Sequence, residues 1–348
     1  MNSPITSSPH IILGIESSCD ETAVAIISYD PTTREKKVLG NLMHSQIAQQ
    51  QEYGGVVPEL AARAHLEKIH TLAAQAIEAA KIKLSDLSAI ATTAGPGLIG
   101  GVVVGTMFAK GLAATLNKPF IAVNHLEGHA LTARLTHDVA FPYLLLLVSG
   151  GHCQFLEVRG VGKYHLLGGT IDDAIGEAFD KVARVLNLPY PGGPKIEALA
   201  QSGNPHAFDL PRPLLGRPGC DFSLSGLKTA VRQLIQKHPD APSQDVAASF
   251  QQVIIDCIVD RSKNAIAMAS KDIKSFVVGG GVAANQSVYK ALEQLTKEYD
   301  LAFYAPPPNL CTDNAAMIAW TGLEYFLLGR HDDLSFEPRP RWPLSSLS

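Results

Sequence analysis

The stretch Asn124-His125-Leu126-Glu127-Gly128-His129 places two imidazoles four residues apart, directly after the apolar run Phe120-Ile121-Ala122-Val123. Histidines at i and i+4 share one helix face and can hold a single metal ion. The apolar run reads as a buried strand ending at Asn124, a good helix N-cap, and Glu127 three residues on completes a capping-box-like arrangement. Glu127 then has a structural task. The pattern is not His-Glu-x-x-His, in which the glutamate beside the first histidine is the base of a metallopeptidase. The plainer alternative is two histidines satisfied by hydrogen bonds at a helix start.

A third ligand is offered by Cys311-Thr312-Asp313-Asn314, just before the apolar helix Ala315 to Leu328. The Asp313 carboxylate would complete a two-histidine, one-carboxylate site with open positions, as used by iron or zinc. Capping of the following helix by Thr312 or Asp313 is the simpler role. Spacing alone does not bring Asp313 to His125. Asp180, in Gly176-Glu177-Ala178-Phe179-Asp180-Lys181, stands at a helical start from which an acid could bind a ribose or an amine. His65, His70 and His152 have no partner at a useful spacing and read as structural.

Three apolar strands run into turns of small or polar residues. Ile11 to Ile15 leads into Glu16-Ser17-Ser18-Cys19-Asp20-Glu21, Leu144 to Val148 into Ser149-Gly150-Gly151-His152, and Phe276 to Val278 into Gly279-Gly280-Gly281-Val282-Ala283-Ala284-Asn285. Such turns let backbone N–H groups approach a phosphate or a nucleoside closely. Each alone is a turn; the second and third together make a plausible nucleotide site. Gly95-Pro96-Gly97-Leu98-Ile99-Gly100 satisfies G-x-G-x-x-G between a strand, Ala89 to Thr93, and a helix from Val102. A dinucleotide site there needs an acid at the end of the next strand, which ends instead in Asn124-His125, so close helix packing is the better reading.

These motifs sit on an α/β frame. The first two strands open hairpins, with Thr22 to Tyr29 and Cys153 to Val158 returning, and the repetition predicts a duplicated α/β domain with one cleft between the copies. Val57 to Lys81 reads as one helix with Pro58 at its start and Ala61, Leu66, Ile69, Leu72, Ala73 and Ala76 on one face. Gln244 to Ser270 is another, with Val246, Phe250, Val253, Ile254, Cys257 and Ile258 as its stripe. Pro189 to Lys228, rich in proline and glycine, reads as an irregular functional insertion. Pro338-Arg339-Pro340-Arg341-Trp342-Pro343 sets two arginines beside an indole, a packed tail or an RNA or partner contact.

A chain of 348 residues with 46% hydrophobic and 18% charged residues buries a large core, and its length suggests two domains. A net charge of -4 argues against coating nucleic acid by bulk electrostatics, so contact with RNA needs a local basic patch or partners. Cys19, Cys153, Cys220, Cys257 and Cys311 are scattered and form no C-x-x-C pair, which points to reduced thiols in a cytoplasm. Met1 to His10 has neither signal-peptide nor transit-peptide character, and the longest apolar runs, such as Tyr143 to Val148, fall far short of a membrane span.

Assembled, these residues closely resemble the TsaD family, the tRNA threonylcarbamoyladenosine transferases once labelled glycoprotein endopeptidases. The matching blocks are Gly14 to Thr22, Gly54 to Ala61, Ala94 to Leu98, His125 to His129, Leu147 to His152, Ile171 to Ala174, Glu177 to Lys181, Tyr190 to Pro194, Phe222-Ser223, Gly279 to Val282, Cys311 to Asn314 and Arg339 to Pro343. They cover the chain from about residue 11 to 343 in the family's order. The resemblance implies an actin-like ATPase (ASKHA) fold of two ribonuclease H-like lobes with a nucleotide and metal cleft between them. The expected lobes are 10–135 completed by 325–348, and 140–324 carrying the insertion 189–228. It implies one divalent metal, Fe(2+) before Zn(2+), on His125, His129 and Asp313, and ATP or threonylcarbamoyl-adenylate as nucleotide ligand. Substrate contacts are expected from Leu147, Val148, Ser149, Gly150, Gly151, Asp180, Gly193 and Asn285, with Asp20 and Glu21 as candidates for proton removal or substrate positioning. Ser17 stands where bacterial members often have threonine, and Glu197 where many carry aspartate near the ribose.

The implied reaction is attack of the exocyclic amine of the adenosine 3′ of a tRNA anticodon on the carbamoyl carbon of threonylcarbamoyl-adenylate, releasing AMP. The implied partners are tRNA, a TsaB-like paralogue and a TsaE-like ATPase, with a homodimer where the partner is absent and no membrane. The alternatives are a metal-dependent peptidase, an actin-like small-molecule kinase and a catalytically silent scaffold.

Overall fold

The computed structural model describes residues 9–51, 53 and 55–347; Met1–Ser8 of the N-terminal stretch, and Gly54 of the block Gly54 to Ala61, lie outside the described residues. The chain forms two compact units: unit 1 runs to Asp138 and resumes at Asp313, and unit 2 is Val139–Thr312.

Unit 1 begins with β1 (His10–Glu16), β2 (Glu21–Tyr29) and β3 (Lys36–Ser45), followed by α1 (Ile47–Gln51), α2 (Pro58–Ala80), β4 (Ala89–Gly95), α3 (Ile99–Leu116), β5 (Phe120–Asn124) and α4 (His125–Thr136). The sheet order is β3-β2-β1-β4-β5. β1 pairs antiparallel with β2, from His10 opposite Tyr29 to Glu16 opposite Ala23, while β4 and β5 run parallel to β1. β1, β4 and β5 are buried almost throughout, as continuous apolar strands covered on both faces must be. Pro58 opens α2, where its missing N–H costs nothing, and Lys81 closes the helix in the left-handed conformation. Ala61, Ile69, Leu72, Ala73 and Ala76 are buried as expected, but Leu66 is 66% exposed. The inward place beside it is taken by His65, which bonds Thr22 Oγ1 at 2.8 Å and the Cys19 carbonyl at 3.0 Å.

α3 corrects the reading of apolar runs. It is the one helix among the described residues long and apolar enough to cross a membrane, at a mean hydropathy of 1.5, and the glycines, Thr106 and Lys110 within it conceal this from a count of unbroken runs. In unit 1 it lies against α2 and β4, burying Gly101, Val102, Gly105, Thr106, Ala109 and Ala113.

Unit 2 repeats the plan with β6 (Tyr143–Val148), β7 (Cys153–Gly160), β8 (Lys163–Gly169), α5 (Ile175–Val185), α6 (Gly192–Ala200), α7 (Ser225–Lys237), α8 (Ser243–Met268), β9 (Ser275–Gly279), α9 (Gln286–Glu298), β10 (Ala302–Tyr304) and α10 (Pro308–Cys311). Its order, β10-β9-β6-β7-β8, has the connectivity of the first sheet: an antiparallel meander, then two parallel strands added on the other side of the first strand. The core gathers Leu144, Leu146, Phe155, Phe179, Phe250 and Phe276. All six stripe residues of α8 are buried.

Residues 189–228 are less irregular than their composition suggests, since α6 lies inside them and α7 begins at Ser225. The segment between is anchored by the buried Arg261, which donates to the carbonyls of Gly219 and Arg217 at 3.1 and 2.9 Å, so a buried guanidinium is satisfied by loop backbone.

The chain re-enters unit 1 at Asp313, ahead of α11 (Ala315–Leu327), rather than at residue 325. Every residue of α11 from Ala315 to Leu323 is buried, which is the pattern of a helix enclosed by its own unit, and it lies on β1, β4 and α4.

Candidate functional site

Glu16, Gly95 and Asn124 end the parallel strands β1, β4 and β5 on one edge of the first sheet, the edge where open α/β sheets place ligands. Asn124 makes the turn from strand to helix: its Oδ1 accepts from the N–H of Leu126 at 2.9 Å and of Glu127 at 3.4 Å. Its Nδ2 donates to the Trp342 carbonyl at 2.8 Å. His125 is therefore the first residue of α4, and His129 follows one turn later.

Asp313 arrives from 184 residues beyond His129 because α11 packs closely on α4. Gly128 permits this approach, since a Cβ there would lie 2.9 Å from Ile318 Cδ1 and 3.2 Å from Met317 Cγ. The cap of α11 is Asn314, whose Oδ1 accepts from Met317 N at 3.0 Å, and not Thr312 or Asp313. Asp313 Oδ1 lies 3.0 Å from His129 Nε2 and 3.5 Å from His125 Nε2. One ligand atom from each of the three residues falls within 4.8 Å of the others.

This donor set fits a divalent cation. Two imidazole nitrogens and one carboxylate oxygen suit iron(II) or zinc(II). The far nitrogen of His125 is held by Glu16 Oε2 at 3.0 Å and Ser18 Oγ at 3.2 Å, which leaves Nε2 toward Asp313. The charges agree. Burial alone would raise the Asp313 carboxyl, but the charges and hydrogen bonds of His125, then His129, outweigh it and hold Asp313 well below the usual carboxylate range. Burial alone would lower His125, but Asp313 and then Glu16 lift it well above the usual histidine range. Without metal, a proton on His125 thus balances the acids, and a cation held by these residues would take over that balance.

Glu127 turns elsewhere, accepting from the Tyr325 hydroxyl at 2.8 Å while fully buried. It is a packing group and not a peptidase base. Asp20 and Glu21 stand in the turn after β1 and at the start of β2. Asp20 is buried, and its Oδ2 has no hydrogen-bond partner among the described residues. Burial, followed by the charges of Asp313 and Asp20, pushes Glu21 well above the usual carboxylate range. Burial also holds His65 below the usual histidine range, as its structural role requires. Glu16, Ser18 and Thr93 were missed in the sequence; an acid closing the apolar run Ile11 to Ile15 was the available signal.

The glycine turn at residues 95–100 is filled by the chain itself. Arg339 N donates to Ala94 O at 2.7 Å, Gly97 N to Pro340 O at 3.2 Å, and Leu98 N to Ser18 O at 2.7 Å. The tail is packed as well: Trp342 is buried, and the Arg339 guanidinium stacks over Phe336 and Trp342 at 4.9 and 5.1 Å.

In unit 2 the turns after the neighbouring parallel strands β6 and β9 come together. Gly280 adopts φ +92, and a Cβ there would lie 2.4 Å from the Val148 carbonyl oxygen. Leu147 and Val148 are buried in β6, whereas Gly150 and Gly151 are exposed and open. Ser149 closes the turn: its N donates to His152 O at 2.8 Å and its Oγ accepts from His152 N at 3.2 Å. Asp180 on α5 accepts from Gly192 N at 2.6 Å, which ties it to the start of α6, where Gly193 stands with open space beside it. Asn285 caps α9 through Ser287 N and Val288 N, both at 3.0 Å, and its Nδ2 donates to Gln251 Oε1 at 3.0 Å. Glu197 accepts from Gln286 N at 2.7 Å. The glycine turns, Asp180, Gly193 and Asn285 thus form one neighbourhood built around α5, α6 and α9.

Two sheets of identical connectivity, each a meander extended by two parallel strands, are those of an actin-like ATPase fold. Solved structures agree at the level of fold: HypF of T. kodakarensis matches with TM-score 0.61 and 13% identity over 93% of this chain and 48% of that one. Component A of (R)-2-hydroxyglutaryl-CoA dehydratase from Acidaminococcus fermentans matches with TM-score 0.52 and 15% identity over 91% and 99%. The family model for TsaD, tRNA N6-adenosine threonylcarbamoyltransferase, matches residues 37–320. Relatives bearing that name are 55% identical over 96% of this chain and 97% of their own in Paramagnetospirillum magneticum, and 54% identical over 97% and 96% in Rhodospirillum rubrum. The chain belongs to the TsaD family.

Proposed function

We propose that this chain transfers a threonylcarbamoyl group from threonylcarbamoyl-adenylate to the exocyclic amine of the adenosine 3′ of the anticodon in tRNA. The amine nitrogen attacks the carbamoyl carbon, the bond from that carbon to the phosphate oxygen breaks, AMP leaves with the electron pair, and the amine gives up one proton. Family membership carries the reaction, and the observation on the molecule that supports it is the convergence of His125, His129 and Asp313.

These three residues would hold the metal, iron(II) in preference to zinc(II); when bound it supplies Lewis acidity to the carbamoyl-phosphate end. The Gly150 and Gly151 N–H groups, on an open turn, are assigned to phosphate charge. Asp180, Gly193 and Asn285 are assigned to the nucleoside. Asp20, with a buried carboxylate oxygen lacking a partner among the described residues, is assigned to take the amine proton, and Glu21 to donate a hydrogen bond in its protonated form. A TsaB-like paralogue and a TsaE-like ATPase complete the cytoplasmic assembly, and the chain self-associates as a homodimer where the paralogue is absent. Partners also supply the positive surface that a chain of net charge -4 needs to hold tRNA.

The test is transfer of labelled threonine into unmodified tRNA from threonylcarbamoyl-adenylate, with metal and partner proteins supplied. Wild type transfers and His125→Ala/His129→Ala does not. Full activity in the double variant removes the metal from the reaction, and an inactive wild type turns the reading toward a kinase or scaffold.

A further inference from the structure

Glu16 is fully buried at the end of β1, yet it is neither a metal ligand nor a packing residue, and each carboxylate oxygen is aimed. Oε1 accepts from the backbone N–H of Ser18 at 2.6 Å. Oε2 accepts from Thr93 Oγ1 at 2.5 Å and lies 3.0 Å from His125 Nδ1. Both oxygens of this buried carboxylate have hydrogen-bond partners and one also faces the His125 ring, which offsets the cost of burying it. Three parallel strand ends build this arrangement: β1 supplies Glu16, β4 supplies Thr93 and β5 feeds directly into His125.

We infer that Glu16 is the positioning residue of the metal centre: by accepting the Nδ1 proton of His125 it fixes the tautomer that leaves Nε2 as the ligand atom, and Thr93 in turn orients Glu16. The inference rests on the metal reading above. A carboxylate behind a ligating imidazole fixes the ring and makes it a stronger donor, and loss of such a partner typically weakens metal binding about 10- to 100-fold. The ring of His125 also meets His129 edge-on, at a centroid distance of 4.8 Å, and Asp313 at its Nε2 side at 3.5 Å; of its two Nδ1 partners, Glu16 and the Ser18 hydroxyl, Glu16 is the charged one.

The experiment is calorimetric titration of the metal-stripped full chain with Zn2+ at neutral pH, alongside the visible bands of the Co2+-loaded protein and circular dichroism as a check of fold. The variants are Glu16→Gln, which keeps the shape and removes the charge, and Thr93→Val, which removes only the hydrogen bond that orients Glu16. Glu16→Gln binds about 10- to 100-fold more weakly than wild type and Thr93→Val several-fold more weakly, both with one metal per chain and with shifted cobalt bands. A folded Glu16→Gln that binds Zn2+ as tightly as wild type overturns the inference. If Glu16→Gln does not fold, wild-type affinity and wild-type cobalt bands in Thr93→Val overturn it instead. Failure of the underlying reading is separately visible, because His125→Ala/His129→Ala would then bind as well as wild type.

Discussion

Adding and removing metal should change the stability of unit 1 by an amount that depends on pH. All three candidate ligands belong to that unit, and two of them, His129 and Asp313, are far apart in the unfolded chain, so the unfolded state has little affinity for the ion. At free metal about a hundredfold above the dissociation constant, binding to the native state alone contributes about 2.7 kcal/mol. For a cooperative unit of about 150–250 residues, each kcal/mol moves the melting temperature by about 2–4 °C, so the expected rise is about 5–11 °C. The sign with pH follows from His125. Its folded-state pKa is raised by Asp313 and Glu16, so in the metal-free chain its charged pairing is fully present below the ordinary histidine value. That contribution fades as pH rises through the raised value. Metal competes with that same proton, so the thermal increment is smallest in acid and grows toward alkaline pH. Scanning calorimetry of the full chain with Zn2+ or with chelator, from mildly acid to mildly alkaline buffer, measures it. An increment that survives in His125→Ala/His129→Ala, or one that does not change with pH, would refute the assignment.

Glu21→Gln should match wild type in metal-free stability in acid and exceed it at neutral pH and above: the raised pKa means that wild type gives up stability as Glu21 ionises, and glutamine does not ionise. Urea titrations across that range decide it, and a variant less stable than wild type in alkali contradicts the reasoning. Gly280→Ala should cost at least about 2 kcal/mol, combining the positive φ with the approach to the Val148 carbonyl, and equilibrium denaturation within about 0.5 kcal/mol of wild type would exclude that contact. Asn314→Ala should cost about 1 kcal/mol from the lost cap of α11 and also weaken Zn2+ binding, because Asp313 is placed by the same turn; unchanged calorimetric affinity would separate the two.

Local order was readable from residue types. The extent of α2 follows from Pro58 at its start and its alanine-rich face, the hairpins follow from apolar runs broken by short polar turns, and the face shared by His125 and His129 follows from their spacing. The same reasoning placed Leu66 inward on α2, because periodicity identifies a face but does not say how far a neighbouring element extends over it. Residues 189–228 read as irregular because proline and glycine dominate them, although Pro191 and Pro194 sit at the cap and in the first turn of α6, where proline does no harm.

Residue order alone was enough for what is periodic or adjacent: the strands, most of the helix faces, the histidine pair and the Asn124 cap, whereas the cap before α11 proved to be Asn314 and not Thr312 or Asp313. Only the tertiary structure decided that Asp313 meets those histidines, that α11 belongs to unit 1, and that Glu16 and Thr93 stand behind His125. Those pairings close over 184 residues for Asp313 and His129, 109 for Glu16 and His125, and 77 for Thr93 and Glu16. The physical reason is that side-chain chemistry acts over a few ångströms, whereas which distant residues come within that range is settled by strand order and by how closely α11 can approach α4 over Gly128.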